Sequence, residues 1–492
     1  MTAIPGAEVR FRAGPEASAL PRGVAALLMV ERALARPGTG ALFDRVVPGA
    51  EAWWSAGATV DVVVDLTGGG EPAGAVGGPA VLRPVFDGDP SEAALVAALL
   101  AGAMPEIAIL DGLTRQPLAA GQPSPENGGG LTGGLDAVLS RTLVLVESLI
   151  AAPRRPKPLA FHASRRHSGR APAAVLARAL ARDAAYAAYK LCMYTPHWRV
   201  GWRLHEGPGV LERHDLEGPA WRTLPDPGHR FFADPFPIVW QGRMAMFVED
   251  FDHRIGKAVV SVCEIAEGQA GPVVPVLEEA WHLSYPFLLV EDGTLYMVPE
   301  ASLSGEVPLY RCIDFPTRWE RCATLIRGVE AADATLFRHG GRHWMMAVTR
   351  DGAGGFSDTL RLWHAPRLLG PWEEHGLRPV MVDIATARPG GTVVERDGAL
   401  WRPFQDCTGG YGRALGLARI DRLDPDHYEE TVTTRIEAGP AWPGRRIHTL
   451  NRAGPLECID GSAFMPRLPI LRPWMAARLR PRHATSRPRV AF

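Results

Sequence analysis

Two hydrophobic patterns divide this chain. Before residue 152, short β-branched runs alternate with segments whose apolar residues recur at helical spacing. Ala7–Ala13, Thr59–Leu66 and Glu106–Asp111 read as strands, and Gly23–Ala35, Ala93–Ala103 and Leu135–Ala151 as helices. That alternation predicts a small α/β domain with a parallel sheet over residues 1–152. A basic, proline-rich connector and an alanine-rich helix follow over residues 153–197; the helix, Ala174–Lys190, is expected to dock onto the next domain through Leu176, Leu180 and Tyr186. After residue 198 the pattern is that of strands.

The strand pattern also repeats. Phe231–Glu249 is a strand, a tight turn at Gln241-Gly242 and a second strand that ends on a carboxylate. Similar units run over residues 284–300 and 332–348, with a looser copy from Ala387 to Asp406. Aligned on Asp234, Tyr285, Asp333 and Arg388, the copies are offset by 51, 48 and 55 residues (234 to 285, 285 to 333, 333 to 388). Periods of that size with glycine turns and aromatic strands point to four-stranded propeller blades. A fifth unit is expected at Ile447–Phe464, with Trp198–His205 closing the ring. The predicted architecture is therefore multidomain: a small α/β N-terminal domain (1–152), a linker and helix (153–197), an all-β five-bladed propeller (198–465) and a basic C-terminal tail (466–492).

Hairpin pairing brings the start of each first strand beside the end of the second. The mouth of the ring is thus expected to collect Asp234, Glu249, Tyr285, Glu300, Asp333, Arg388, Asp406 and His448. Buried carboxylates are costly unless paired or used, so this set reads as a site. An Asp at a strand start can equally serve to bond turn amides, which needs no chemistry. Carboxylates rimmed by Trp and Tyr suit a carbohydrate, whose C–H faces stack on rings while its hydroxyls bond to acids.

Composition trims the alternatives. The chain has 492 residues, is 46% hydrophobic and 22% charged, and carries a formal net charge of -1. No overall basic field exists to collect phosphates, so nucleic acid is not an expected partner. The scattered cysteines have no metal-ligand spacing; neither a metal nor another cofactor is expected. The glycine-rich turn Asp65–Gly70 matches no phosphate-binding pattern and reads as a turn. No run approaches the ~20 apolar residues of a membrane span, and the N-terminus has no signal-like segment, so a cytoplasmic location is expected. The arginines of the linker and of the tail (Arg467–Arg489) could touch an anionic membrane surface.

Ordered motifs carry two resemblances. Ala233-Asp-Pro-Phe236, Ser284-Tyr-Pro-Phe287, Met297-Val-Pro-Glu300, Asp314-Phe-Pro-Thr-Arg-Trp319, Ala332-Asp-Ala-Thr335, Arg388-Pro-Gly-Gly391 and Gln405-Asp-Cys407 resemble the N-terminal domain of plant glucosamine inositolphosphorylceramide transferases and their bacterial relatives. The plan is also similar to five-bladed glycoside hydrolases. That resemblance implies a pair of working carboxylates, with Asp234 as base or nucleophile, Glu300 as general acid and Asp333 as an orienting acid. Glu249, Tyr285, Arg388, Asp406 and His448 would bind substrate, a sugar or glycolipid headgroup. A glycan-binding module without catalysis is the alternative. The first 150 residues resemble a formyltransferase N-domain that lacks the family's Asn-x-His motif, which implies a unit without formyl transfer.

Overall fold

Tight hairpins set the C-terminal architecture. Gln241-Gly242, Asp292-Gly293, Gly340-Gly341 and Asp397-Gly398 all have positive φ at both positions. That is the mirror-image two-residue turn whose twist matches paired strands, and glycine at its second position adopts it without strain. The repeated glycine of the sequence is therefore a turn requirement.

The computed structural model describes residues 8, 22–34, 60–66, 79–126, 130–151 and 167–479. The expected strand at Ala7–Ala13 apart from residue 8, most of the connector, residues 67–70 of the glycine-rich turn and the end of the tail lie outside them.

Strands Val62–Val64, Ala80–Phe86, Ile107–Asp111 and Pro117–Gly121 form one sheet in that order. Only the first pair is parallel; the other two are antiparallel, so the expected all-parallel sheet is corrected to a mixed one. The connection from Asp111 to Pro117 is too short for a parallel crossover. Helices Val24–Leu34, Glu92–Ala101 and Gly130–Ala151 bury Val24, Leu95, Leu131 and Val138 against this sheet. Ser91 caps the second helix by accepting from Ala94 N, and Gly102 ends it at φ 82°.

Five further antiparallel sheets of four or five strands follow, with a two-stranded ribbon of Met193–Tyr194 and Met465–Pro466. Four are built on the repeats, with first strands at Arg230–Trp240, Ser284–Glu291, Ala331–His339 and Arg388–Pro389. The fifth joins Leu450–Ala453 and Leu456–Ser462 to Trp198–Leu204, so the early strand closes onto the C-terminal hairpin. Each sheet shares an apolar core with the next. Phe232 and Val248 pack with Val200 and Trp202; Phe247 and Val262 with Leu295 and Met297. Phe287 and Leu309 pack with Leu336 and Met345; Trp344 and Leu360 with Leu400 and Ile420. Leu415 and Leu417 meet Trp442 and Ile459, which completes the circuit. These cores bury large side chains on both faces of each sheet, and that burial is the main force holding the circuit together.

The N-terminal sheet is continuous with the third repeat sheet. Gln122 N donates to Val382 O at 2.9 Å, Ile384 N donates to Gln122 O at 3.0 Å, and Val382 belongs to the N-terminal core. A Cβ on Gly121 would lie 2.8 Å from the Val382 side chain, so this approach needs glycine. The alanine-rich helix spans Pro172–Cys192 and buries none of its residues. Leu176 packs on the N-terminal core, whereas Leu180 and Tyr186 are about half exposed. The expected docking onto the following domain through Leu176, Leu180 and Tyr186 is therefore corrected.

Candidate functional site

The aligned strand starts share one backbone device. Asp234, Tyr285 and Asp333 have φ of 48°, 42° and 56°, and each sits where the ladder register slips, between Ala233 and Phe236, Ser284 and Phe287, and Ala332 and Thr335. Such a bulge turns the side chain out of the pleat toward the centre. Left-handed φ is costly for a non-glycine residue and persists where surrounding bonds over-determine it.

Those bonds pass from sheet to sheet. Asp234 N donates to Asp460 Oδ2 at 3.1 Å, and Tyr285 N donates to Asp234 Oδ2 at 3.2 Å. The Tyr285 hydroxyl and Thr335 Oγ1 are 2.9 Å apart. Asp333 Oδ2 accepts from Arg388 Nε at 2.6 Å and from Gln405 Nε2 at 2.8 Å. Leu450 N donates to Gly390 O at 2.8 Å, and Asn451 Nδ2 returns to Pro235 O at 3.0 Å.

Above this ring lies a cleft of about 230 Å³. Asp234, Glu249, Glu300, Arg388 and His448 line it, with Pro196, Trp198, Phe231, Phe251, His282, Ser284 and Tyr411. Five of the eight expected site residues are thus brought together. The other three are corrected. Tyr285 is fully buried beneath the cleft. Asp333 lies behind Arg388 and does not line the cleft. Asp406 holds Thr408 and pairs with Arg413 and Arg435 at the end of its strand. Its strand-end position was legible; its ion pairs with Arg413 and with Arg435 of the outer strand, which engage it away from the cleft, were not.

The cleft's electrostatics come from two buried groupings. His448 Nδ1 is 2.5 Å from Asp460 Oδ2 and its Nε2 is 3.7 Å from Asp234 Oδ1, while the ring stacks on Trp198 at 4.1 Å. Burial alone would lower the imidazole pKa, but the Asp460 and Asp234 carboxylates outweigh it and hold it up at about 9. Burial raises the Asp234 carboxyl to about 7 against the pull of His448. In the second grouping Arg388 lies between Asp333 and Glu300, its Nη2 4.0 Å from Glu300 Oε2 and its guanidinium 4.6 Å from the Tyr411 ring. Burial raises the Asp333 carboxyl to about 7, opposed by Arg388. Glu249 faces His282 Nε2 at 3.4 Å. His282 Nδ1 accepts from Ala258 N, so Nε2 carries the ring proton toward Glu249.

Asp234, His448 and Asp460 each offer a ligand-type atom within 4.8 Å of the others. Their oxygens are already used: Asp460 Oδ1 accepts from His448 N and Thr449 N, and Asp234 Oδ1 from Thr449 Oγ1. The trio works as a hydrogen-bond hub with the imidazolium as its cation.

Sequence reasoning missed Trp198, His282, Tyr411 and Asp460. His282 stands two residues before a repeat start and Asp460 near the end of the fifth hairpin, so alignment of the flanks would have raised both. Trp198 and Tyr411 arrive from the ring closure and from a loop, which no local pattern marks.

Residues 224–456 match the family described as glucosamine inositolphosphorylceramide transferase 1, N-terminal. That segment, a little under half of the chain, is similar to this domain family. A protein of Oryza sativa subsp. japonica named glucosamine inositolphosphorylceramide transferase 1 is 32% identical over 282 residues, 52% of this chain and 38% of that protein. Its Arabidopsis thaliana namesake is 30% identical over 228 residues, 44% of this chain and 30% of that one. The chain thus spans well under half the length of these relatives. Among solved structures, a family 117 glycoside hydrolase of Zobellia galactanivorans aligns with a TM-score of 0.35 at 14% identity, covering 50% of this chain and 78% of the hydrolase. An α-L-arabinanase of Cellvibrio cellulosa aligns at 0.31 and 14%, covering 41% and 77%. Neither likeness assigns a residue.

Proposed function

We propose that the five C-terminal sheets are the blades of a five-bladed propeller and that the central cleft takes a sugar or glycolipid headgroup for glycosyl transfer or hydrolysis. The observation that carries this reading is the chemistry of the cleft wall. Glu249 and Glu300 face it beside the cationic Arg388, with Trp198, Phe231, Phe251 and Tyr411 as apolar surfaces. Rings stack on the C–H faces of a sugar, and carboxylates bond to its hydroxyls. Arg388 and His448 suit an anionic group on the same ligand. The transferase names of the longer relatives support the substrate class.

Catalysis in this reading uses Glu300 as general acid and Asp234 as base or nucleophile, with Asp333 fixing Arg388 from behind. The N-terminal sheet is given no chemistry of its own. One observation favours the second reading, a glycan-binding module: both Asp234 oxygens already accept bonds from Thr449 and Tyr285. A carboxylate so engaged is a poor nucleophile.

A glycan array followed by a turnover screen separates the two, using the full chain and the variants Asp234→Asn, Glu249→Gln and Glu300→Gln. Turnover that falls by about 10²–10⁴ in Glu300→Gln with binding kept supports the enzyme. Wild type that binds sugars without turning them over supports the module. If the variants bind and turn over like wild type, the cleft is not the site.

A further inference from the structure

The helix Pro172–Cys192 is 21 residues long and buries none of them. Its apolar stripe, Leu176, Leu180, Ala184, Ala187 and Leu191, follows helical spacing. Leu176 is partly covered by the N-terminal core, but Leu180 is 50% exposed and Leu191 80%. At the end of this helix Met193–Tyr194 pairs antiparallel with Met465–Pro466, and Arg467 Nε donates to Lys190 O at 2.8 Å. The chain leaving that ribbon therefore emerges beside the end of the helix. It carries Leu468, Ile470 and Trp474 at 62%, 86% and 60% exposure. Isolated apolar residues on a surface are ordinary, but several on two adjoining elements form a patch.

The charge around the patch selects its partner. Residues 167–194 and 464–479 hold Arg170, Arg178, Arg182, Lys190, Arg467, Arg472 and Arg478 against one acid, Asp183, in a chain with 53 Lys and Arg and 54 Asp and Glu. Three cations lie over rings there: Lys190 on Tyr186, Arg467 on Tyr194 and Arg478 on Trp474. Exposed aliphatic side chains and tryptophan with a basic border are the make-up of a helix that lies in a lipid interface. No described helix is long and apolar enough to cross a membrane.

The patch also adjoins the cleft. The Tyr194 ring lies 4.9 Å from that of His253, which is 5.5 Å from Phe231 and 5.3 Å from Phe251, two residues of the cleft wall. Pro196, two residues past the ribbon, lines the cleft as well.

We propose that the C-terminal half of the helix Pro172–Cys192 and the segment Leu468–Arg478 together seat the protein on an anionic phospholipid bilayer, with the cleft next to that surface. Lipid binding by this patch does not depend on the chemistry of the cleft.

The test is co-sedimentation of the full chain with large vesicles of phosphatidylcholine alone or with about one-third phosphatidylserine. Binding to the anionic vesicles, at least about tenfold tighter than to the neutral ones and weakened by salt, is expected. The triple variant Leu191→Ser, Ile470→Ser, Trp474→Ser should lose about tenfold or more in apparent affinity. The pair Lys190→Gln, Arg478→Gln should weaken anionic binding and leave neutral binding unchanged. All five side chains lie outside the buried core, so melting temperatures should match wild type. Wild type that stays in the supernatant, or serine variants that bind like wild type, would overturn the proposal. So would a wild-type dimer that the serine substitutions convert to monomer, which would make the patch a protein interface. Glycan binding measured on the same variants reports separately on the cleft.

Discussion

Arg141 Nε donates to Asp358 Oδ1 at 2.8 Å, with both side chains sealed from solvent. Arg141 comes from the helix Gly130–Ala151; Asp358 immediately precedes the strand Thr359–Ala365 of the third repeat sheet. The second Asp358 oxygen accepts from Ser124 N at 2.6 Å, and Arg141 also donates to Asp351 O and Gly355 O. The clamped loop carries Phe356, whose carbonyl accepts from Arg388 Nη1 at 3.3 Å. The N-terminal unit is thereby tied to a residue of the cleft.

Removing one member of a buried pair leaves the other charge unpaired, at a cost of about 3–5 kcal/mol. Arg141→Met should lower stability by that order in urea unfolding. Because the two regions share Val382 and this ion pair, helical circular dichroism and tryptophan fluorescence of wild type should report one transition. Two separated transitions would refute the coupling.

Stability should fall as pH rises from about 6.5 to about 9, and the sign follows from the raised pKa of His448. His448 sits at about 9 against an ordinary 6.5, so its contribution is full below pH 6.5 and is lost as pH rises through 9. Asp234 sits at about 7 against an ordinary 3.8, so the folded state also binds more protons between those values. Between about 4 and 6.5 His253, which burial holds down at about 4, opposes Asp234, and Asp252 and Asp424, held at about 2, oppose it on the acid side of 4. A melting-temperature series should show the decline, and His448→Gln should flatten its alkaline limb. An unchanged limb would remove the imidazolium from the account.

Gly391 has φ of 147°, and a Cβ there would lie 2.0 Å from Leu450 O. Gly391→Ala forces apart the join between the fourth repeat sheet and the closing sheet, at a cost of about 1–3 kcal/mol or more. Gly398→Ala, at an exposed turn with open space around its Cβ, should cost only about 1–2 kcal/mol from its left-handed backbone. Equal losses in thermal unfolding would contradict the packing argument.

Arg388→Lys keeps the charge but loses the planar fork that meets Asp333 and faces Glu300. Affinity for a sugar carrying a phosphate or carboxylate should fall about tenfold to a hundredfold by calorimetry. Affinity for the uncharged sugar should change much less. An equal drop for both would mean that Arg388 shapes the cleft without reading charge.

The sequence by itself determined what is local or periodic. Glycine at the second turn position recurs because only a left-handed turn closes these hairpins, and alternating aromatic strands between the turns foretold stacked β-sheets. The same repeat placed Asp234, Glu249 and Glu300 at strand ends that converge on one cleft. Tertiary structure decided which side chains enter it. The bulges at Asp234, Tyr285 and Asp333 are held by bonds from neighbouring sheets, and the same position gives a cleft residue in one sheet and buried support in the next two. The partner of His448 is Asp460, across the closing hairpin, and the partner of Arg388 is Asp333, one sheet back. Trp198 reaches the cleft because a strand more than 250 residues away in sequence pairs with its own. Spacing along a chain reports nearest-neighbour geometry; burial, bulge direction and charge pairing depend on which sheets meet, and only the closed circuit sets those.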